Sequence, residues 1–206
     1  MQSIIKNSLD KSMSYPAYKS MVEQLILKDS NTGEWSVERM NFTKLNFSRM
    51  KRMDAKVEIP ENTAEVFQQI DQKQYWIVLL ESWCGDGAQT IPVLNKLAEL
   101  SPKIELRILL RDENPEFMDL FLTNGSRSIP KLILTYENLN ILTTWGPRSK
   151  AATKIMEDYK KEHGRIDDQI KKEIQIWYNR DKGQEIISEI SNMEIQLNEH
   201  RLKPAS

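Results

Sequence analysis

Tyr75-Trp76-Ile77-Val78-Leu79-Leu80-Glu81-Ser82-Trp83-Cys84-Gly85-Asp86-Gly87 is the stretch whose reading decides the fold. The unbroken apolar run from Trp76 to Leu80 predicts a strand buried on both faces. A short polar turn follows, holding the only cysteine of the chain, Cys84, and a helical pattern then begins. A thiol at that handover sits at the positive end of the helix. Unpaired backbone N–H groups and the macrodipole favour a thiolate there.

Working outward from this stretch, the helix after the turn carries Ile91, Leu94, Leu97 and Ala98 on one face, and Pro92 beyond its first turn predicts a kink. In Ile104–Leu110, Glu105 and Arg107 alternate with Ile104, Leu106 and Ile108, the pattern of an edge strand with one wet face. Asn114-Pro115 predicts a helix start, with Asn124-Gly125 as its left-handed stop. Ser128-Ile129-Pro130 leads into a strand over Lys131–Tyr136. A turn at Glu137-Asn138 joins it to Ile141–Trp145 as a hairpin, and Gly146-Pro147 is expected to open another helix.

The flanks read as helical. Tyr15, Tyr18, Val22 and Leu25 recur at helical spacing between Ser14 and Asn31-Thr32-Gly33, with a weaker pattern from Met40 to Met53. Lys56–Pro60 suggests a short strand, limited by its proline, and a helix follows from Thr63 to Ile70. Ile166, Ile170, Ile174 and Trp177 form one C-terminal stripe; Ile186, Ile190, Met193 and Leu197 form a second.

Composition narrows the classes of function. With 206 residues, 39% hydrophobic and 29% charged, the chain can bury one sizeable core. A net charge of −1 with interspersed signs does not point to nucleic acid or to an anionic membrane. The basic run Arg49-Met50-Lys51-Arg52 reads as a solvated helix face. One cysteine excludes an internal disulfide and a cysteine-rich zinc site, and His163 and His200 have no ligand spacing. No metal or cofactor is expected. The first residues lack the apolar core of a signal peptide and no stretch approaches spanning length, so a reducing, cytoplasmic setting is expected.

The joint spacing of these features resembles the thioredoxin-like fold. Trp83-Cys84-Gly85 resembles the start of the family's Trp-Cys-Gly-Pro-Cys motif. Pro92 stands where the family's helix-kinking proline stands, Ile129-Pro130 resembles its cis-proline motif, and Gly146 matches a glycine that commonly ends the last strand. The resemblance covers roughly residues 57–162, and with the flanking helices the chain looks like a bacterial thioredoxin-like protein. It implies an α/β fold with a central mixed sheet flanked by helices. The expected organisation is an N-terminal helical extension (1–55), a core (56–162) and a C-terminal helical extension packed on the core (163–206).

The departures limit what carries over. Gly87 occupies the position of the resolving cysteine, Asp86 that of the proline between the cysteines, and Val78 that of the family's buried acid. A dithiol enzyme expels its client with its second thiol, which is impossible here. Two readings follow. In the first, Cys84 is the catalytic residue of a monothiol thiol–disulfide oxidoreductase working through mixed disulfides. Trp83, Gly85, Asp86, Ile129 and Pro130 then contact the substrate, a protein or low-molecular-weight thiol or disulfide. In the second, the fold is a redox-inactive protein-binding module, monomeric or homodimeric. The helix terminus lowers the thiol pKa and Asp86 raises it, by amounts of similar size, so distances settle the balance. Glu81, at the strand end, has two readings, a replacement for the missing buried acid or a side chain pointing to water, and the second is expected.

Overall fold

In β1 (Gln74–Leu80), the side chains from Trp76 to Leu80 are withdrawn from solvent on both faces in the computed structural model, which describes the backbone of residues 1–202 and the side chains of residues 1–199. β1 lies inside a four-stranded sheet of order β2-β1-β3-β4. It pairs in parallel with β2 (Ile104–Leu110), Val78 opposite Ile108, and antiparallel with β3 (Lys131–Tyr136), Val78 opposite Leu132. β4 (Ile141–Trp145) closes the hairpin with β3 through a register shift at Leu134/Thr135. The mixed sheet and its flanking helices are those the thioredoxin-like resemblance implied.

β2 is an edge strand. Its Glu105 and Arg107 are partly exposed, and Met13 pairs with Ile108 across part of its free side. Met13 sits between α1 (Gln2–Lys11), which was not anticipated, and α2 (Tyr15–Leu27), capped by Ser14. α3 (Val37–Lys56) runs along α5 (Gly85–Ala98), which continues through Pro92. α9 (Gln184–Leu202) packs against α5 and α4 (Glu61–Gln68).

Four local expectations are corrected. Lys56–Pro60 forms no strand: Lys56 ends α3, Val57 caps it, and the Val57 carbonyl accepts a hydrogen bond from Lys96 Nζ at 2.6 Å. α6 is only Pro115–Asp119, and Asn114 turns its side chain back to the Leu110 carbonyl and does not cap the helix. Asn124 and Gly125 take their left-handed conformations in a separate turn between Thr123 and Ser126. α7 (Lys150–His163) opens at Ser149, whose hydroxyl accepts from the Ala152 N–H, and not at Gly146-Pro147. In α8 (Asp168–Asp181) the buried face is Ile170, Ile174 and Tyr178, while Ile166 lies before the helix and is exposed.

α7 and α8 share a small apolar cluster of their own, which includes Ala152, Met156, Ile170, Ile174 and Tyr178. That cluster holds α8 beside the first turn of α5, where the cysteine lies. Among the described residues no helix is long and apolar enough to cross a membrane, and no group of acidic, His or Cys side chains is placed to hold a metal ion. His163 stacks on Tyr159 with ring centroids 4.1 Å apart, and the side chain of His200 lies outside the described residues.

Candidate functional site around Cys84

Cys84 is the N-cap of α5. With extended backbone (φ −79°, ψ 112°), its sulfur accepts a hydrogen bond from the Gly87 N–H at 3.3 Å, as a serine would in the same place. The thiol donates to the carbonyl oxygen of Ile129 at 3.4 Å, and the Ile129–Pro130 peptide is cis. The structure therefore brings Cys84, Ile129 and Pro130 together from positions 45 residues apart. It also encloses them: Cys84 and Ile129 are each only 8% exposed.

Enclosure decides the balance the sequence left open. Burial, and then the Asp86 carboxylate, push the thiol up to about 12, against the pull of the Gly87 N–H and the Arg148 guanidinium. The helix terminus is present but is outweighed by lost hydration.

Asp86 does not face open water from the helix start. One carboxylate oxygen accepts from the Tyr178 hydroxyl at 3.0 Å and the other meets Arg148 Nη2 at 2.6 Å. Burial and Asp86 together hold the Tyr178 phenol well above its ordinary pKa. Trp83 is half-buried. Its indole N–H donates to the Thr32 carbonyl at 3.1 Å, and the guanidinium groups of Arg39 and Arg111 lie 4.7 and 5.1 Å from its ring.

Two glycines shape the site. A Cβ at Gly87 would collide with Leu80 Cδ1 and lie 3.4 Å from the sulfur, so Leu80 fills the space a second thiol would need. Gly146, at φ +108°, lies so close to the Pro130 carbonyl that a Cβ there would collide with it.

Glu81 corrects a further expectation. It is 1% exposed, with Oε1 accepting from the Asp112 N–H at 2.8 Å and Oε2 buried without a hydrogen-bond partner among the described residues. Burial raises its pKa. The basic run of α3 is also not a uniformly solvated face: Arg49 is half-buried against Asn46, and Arg52 donates to Gln89 at 3.3 Å.

Arg148 and Tyr178 were missed as parts of the site. Arg148 directly follows the Trp145-Gly146-Pro147 stretch that drew attention, while nothing local in α8 distinguishes Tyr178 from a core residue.

A buried strand, a turn with a cysteine at the N-cap, and a proline facing that cysteine from the next antiparallel strand define a thioredoxin-like domain. The sequence model of a family described as thioredoxin matches residues 34–160, and the chain belongs to that family. Among solved structures, a protein of unknown function from Pseudomonas aeruginosa superposes with a TM-score of 0.64 at 16% identity, covering 90% of this chain and 93% of that one. An HIV epitope-scaffold superposes with a TM-score of 0.55 at 17% identity, covering 88% of this chain and 97% of that one. Both likenesses concern the fold. No curated protein matches the sequence.

Proposed function

We propose that this chain is a thioredoxin-fold protein-binding module in which Cys84 is a structural cap and not a resting-state nucleophile. The observation that carries this reading is the buried sulfur, 8% exposed and hydrogen-bonded on both sides, an environment that pushes the thiol up to about 12. At pH 7 such a thiol is ionised at a level on the order of 10⁻⁵, against a few per cent for a free cysteine near ~8.5. Higher basicity recovers only part of that loss, because nucleophilicity rises with a Brønsted slope of about 0.4–0.5. The net effect is exchange slower than that of a free cysteine by roughly a hundredfold. Gly87 supplies no resolving thiol to compensate.

A second reading, monothiol exchange through a mixed disulfide, is supported by the 3.4 Å contact between Cys84 Sγ and the Ile129 carbonyl beside Pro130. A client strand lying along Ile129 would arrive within reach of the sulfur. It would have to take over that carbonyl and release the thiol first. Both readings take the cytoplasm as the setting; the partner is a protein under the first and a protein or a low-molecular-weight thiol or disulfide under the second.

Incubation with oxidised glutathione at pH 7, followed by intact-mass measurement, separates the two. The binding-module reading expects the folded protein to stay unmodified while the urea-unfolded chain reacts. Rapid glutathionylation of folded protein, faster than that of a free cysteine, would transfer the conclusion to the monothiol reading.

A further inference from the structure

We propose that the cleft between α3 and α8, floored by Gly85 and not lined by Cys84, is a binding site for a small organic anion whose acidic group is held by Arg49 and Gln175. The site makes no use of the thiol and goes beyond the function proposed above.

The cleft encloses about 400 Å³, within the range of small-molecule pockets. Its charged lining is Arg39, Arg49, Arg148 and Lys171 against Glu38 and Asp86. Asp86 and Arg148 neutralise each other at 2.6 Å, with the second Asp86 oxygen taken by Tyr178, and Lys171 pairs with Asp168 at 3.0 Å, which leaves Arg39 and Arg49 against Glu38 in the lining. Arg39 and Arg49 have no carboxylate within ion-pair distance among the described residues.

Arg49 is the residue that most needs an anion. Its guanidinium is half-buried, donates through Nη1 to the Asn46 side-chain oxygen at 2.8 Å, and has Arg52 as a charged neighbour. Desolvation and that like charge lower its pKa, against the more distant pull of the Asp86 carboxylate. A cation partly removed from water, with another cation beside it and no carboxylate in ion-pair contact, is a favourable seat for an anion.

Gln175 converges on the same point. Its side-chain oxygen accepts from Gln89 Nε2 at 2.9 Å, which turns its NH₂ group toward Gly85. A Cβ built on Gly85 would stand 3.2 Å from Arg49 Nη1 and 3.4 Å from Gln175 Nε2. Both donors thus face Gly85 at the cleft, with the Asn46 side-chain oxygen 4.0 Å from the same point, and a larger residue there would crowd them. The rim carries exposed Phe42 and Ile166, so the ligand that fits pairs an acidic head with an apolar body. Arg39, stacked on Trp83, stands at the same cleft as a further cation.

The test is an NMR titration of the full chain at low salt with benzoate, phenyl phosphate and the neutral benzyl alcohol. The proposal expects benzoate, phenyl phosphate or both to saturate below about 10 mM, shifting the Gly85 amide and the Gln175 side-chain NH₂. Benzyl alcohol should produce no saturation. Tighter benzoate binding assigns a carboxylate ligand, and tighter phenyl phosphate binding a phosphate ester. Arg49→Gln should weaken binding about tenfold or more, Arg39→Gln should weaken it less, and Cys84→Ser should leave it unchanged. Matching melting temperatures would show that the variants are folded. Absence of saturation by either anion, saturation by benzyl alcohol, or equal affinity in folded Arg49→Gln would overturn the proposal.

Discussion

The carboxylate of Asp86 meets the guanidinium of Arg148 at 2.6 Å, tying the first turn of α5 to the loop between β4 and α7. This pair sets opposing influences on Cys84: the Asp86 charge raises the thiol pKa and the Arg148 charge lowers it. Asp86→Asn removes only the raising charge. The thiol pKa in that variant is expected to fall below about 12, followed as thiolate absorbance near 240 nm against pH. Arg148→Met should shift the titration the other way. It should also destabilise the fold by about 1–3 kcal/mol, since Asp86 would remain enclosed with only Tyr178 as a side-chain partner.

Gly87→Cys should not create a working dithiol. The new Cβ would fall on Leu80 Cδ1, and overpacking of a filled core costs about 1–3 kcal/mol. The expected result is a lower melting temperature and no insulin-reducing activity. Combining it with Leu80→Ala, which vacates the space, should cost less than the two substitutions do separately. Full activity from Gly87→Cys alone would show that Leu80 does not block the position.

The buried thiol makes stability depend on pH. Its folded-state pKa of about 12 lies above the ordinary value of ~8.5, so the folded state binds the proton more tightly than the unfolded state does. The resulting stabilisation is complete below about pH 8.5 and is lost as pH rises toward 12. Between pH 8.5 and 10, urea denaturation should show the wild type losing up to about 1.4 kcal/mol per pH unit relative to Cys84→Ser. Parallel curves for the two proteins would mean that the sulfur is hydrated in the folded state.

Gly146→Ala should be among the more damaging single-methyl additions in the chain. At φ +108° an L-residue is strained, and its Cβ would strike the Pro130 carbonyl. A loss of about 2–4 kcal/mol is expected, read as a fall in melting temperature of about 2–4 °C per kcal/mol in a chain of this size. Gly125→Ala provides the control: it also has positive φ (+75°), but its Cβ would meet nothing within 4 Å, so its loss should be smaller.

The strands between residues 74 and 145 were readable from sequence because their signals are local. Strand β1 announces itself by five successive apolar residues, β2 by strict alternation, and the β3–β4 hairpin by a polar turn between two apolar runs. The cysteine and the proline were named together through the thioredoxin-like resemblance, whose motifs lie beside such strands. Asn114 and Asn124-Gly125 misled because capping residues satisfy whichever backbone group is nearest, and here those groups belong to other turns.

What local pattern could not supply was the environment of each polar group. Helix placement at Cys84 follows from neighbours in sequence, whereas its hydration depends on the Ile129-Pro130 turn before β3 and on side chains as distant in the chain as Arg148 and Tyr178. Desolvation is a property of everything within a few ångströms, whatever its position in the chain. The same reason explains Glu81 turning inward, Arg49 leaving the solvent, and Tyr178 and Arg148 closing on Asp86 from separate elements. Chain order thus settled which strands and helices form and where the sulfur enters the fold. Packing settled that this sulfur is enclosed, because only packing removes water.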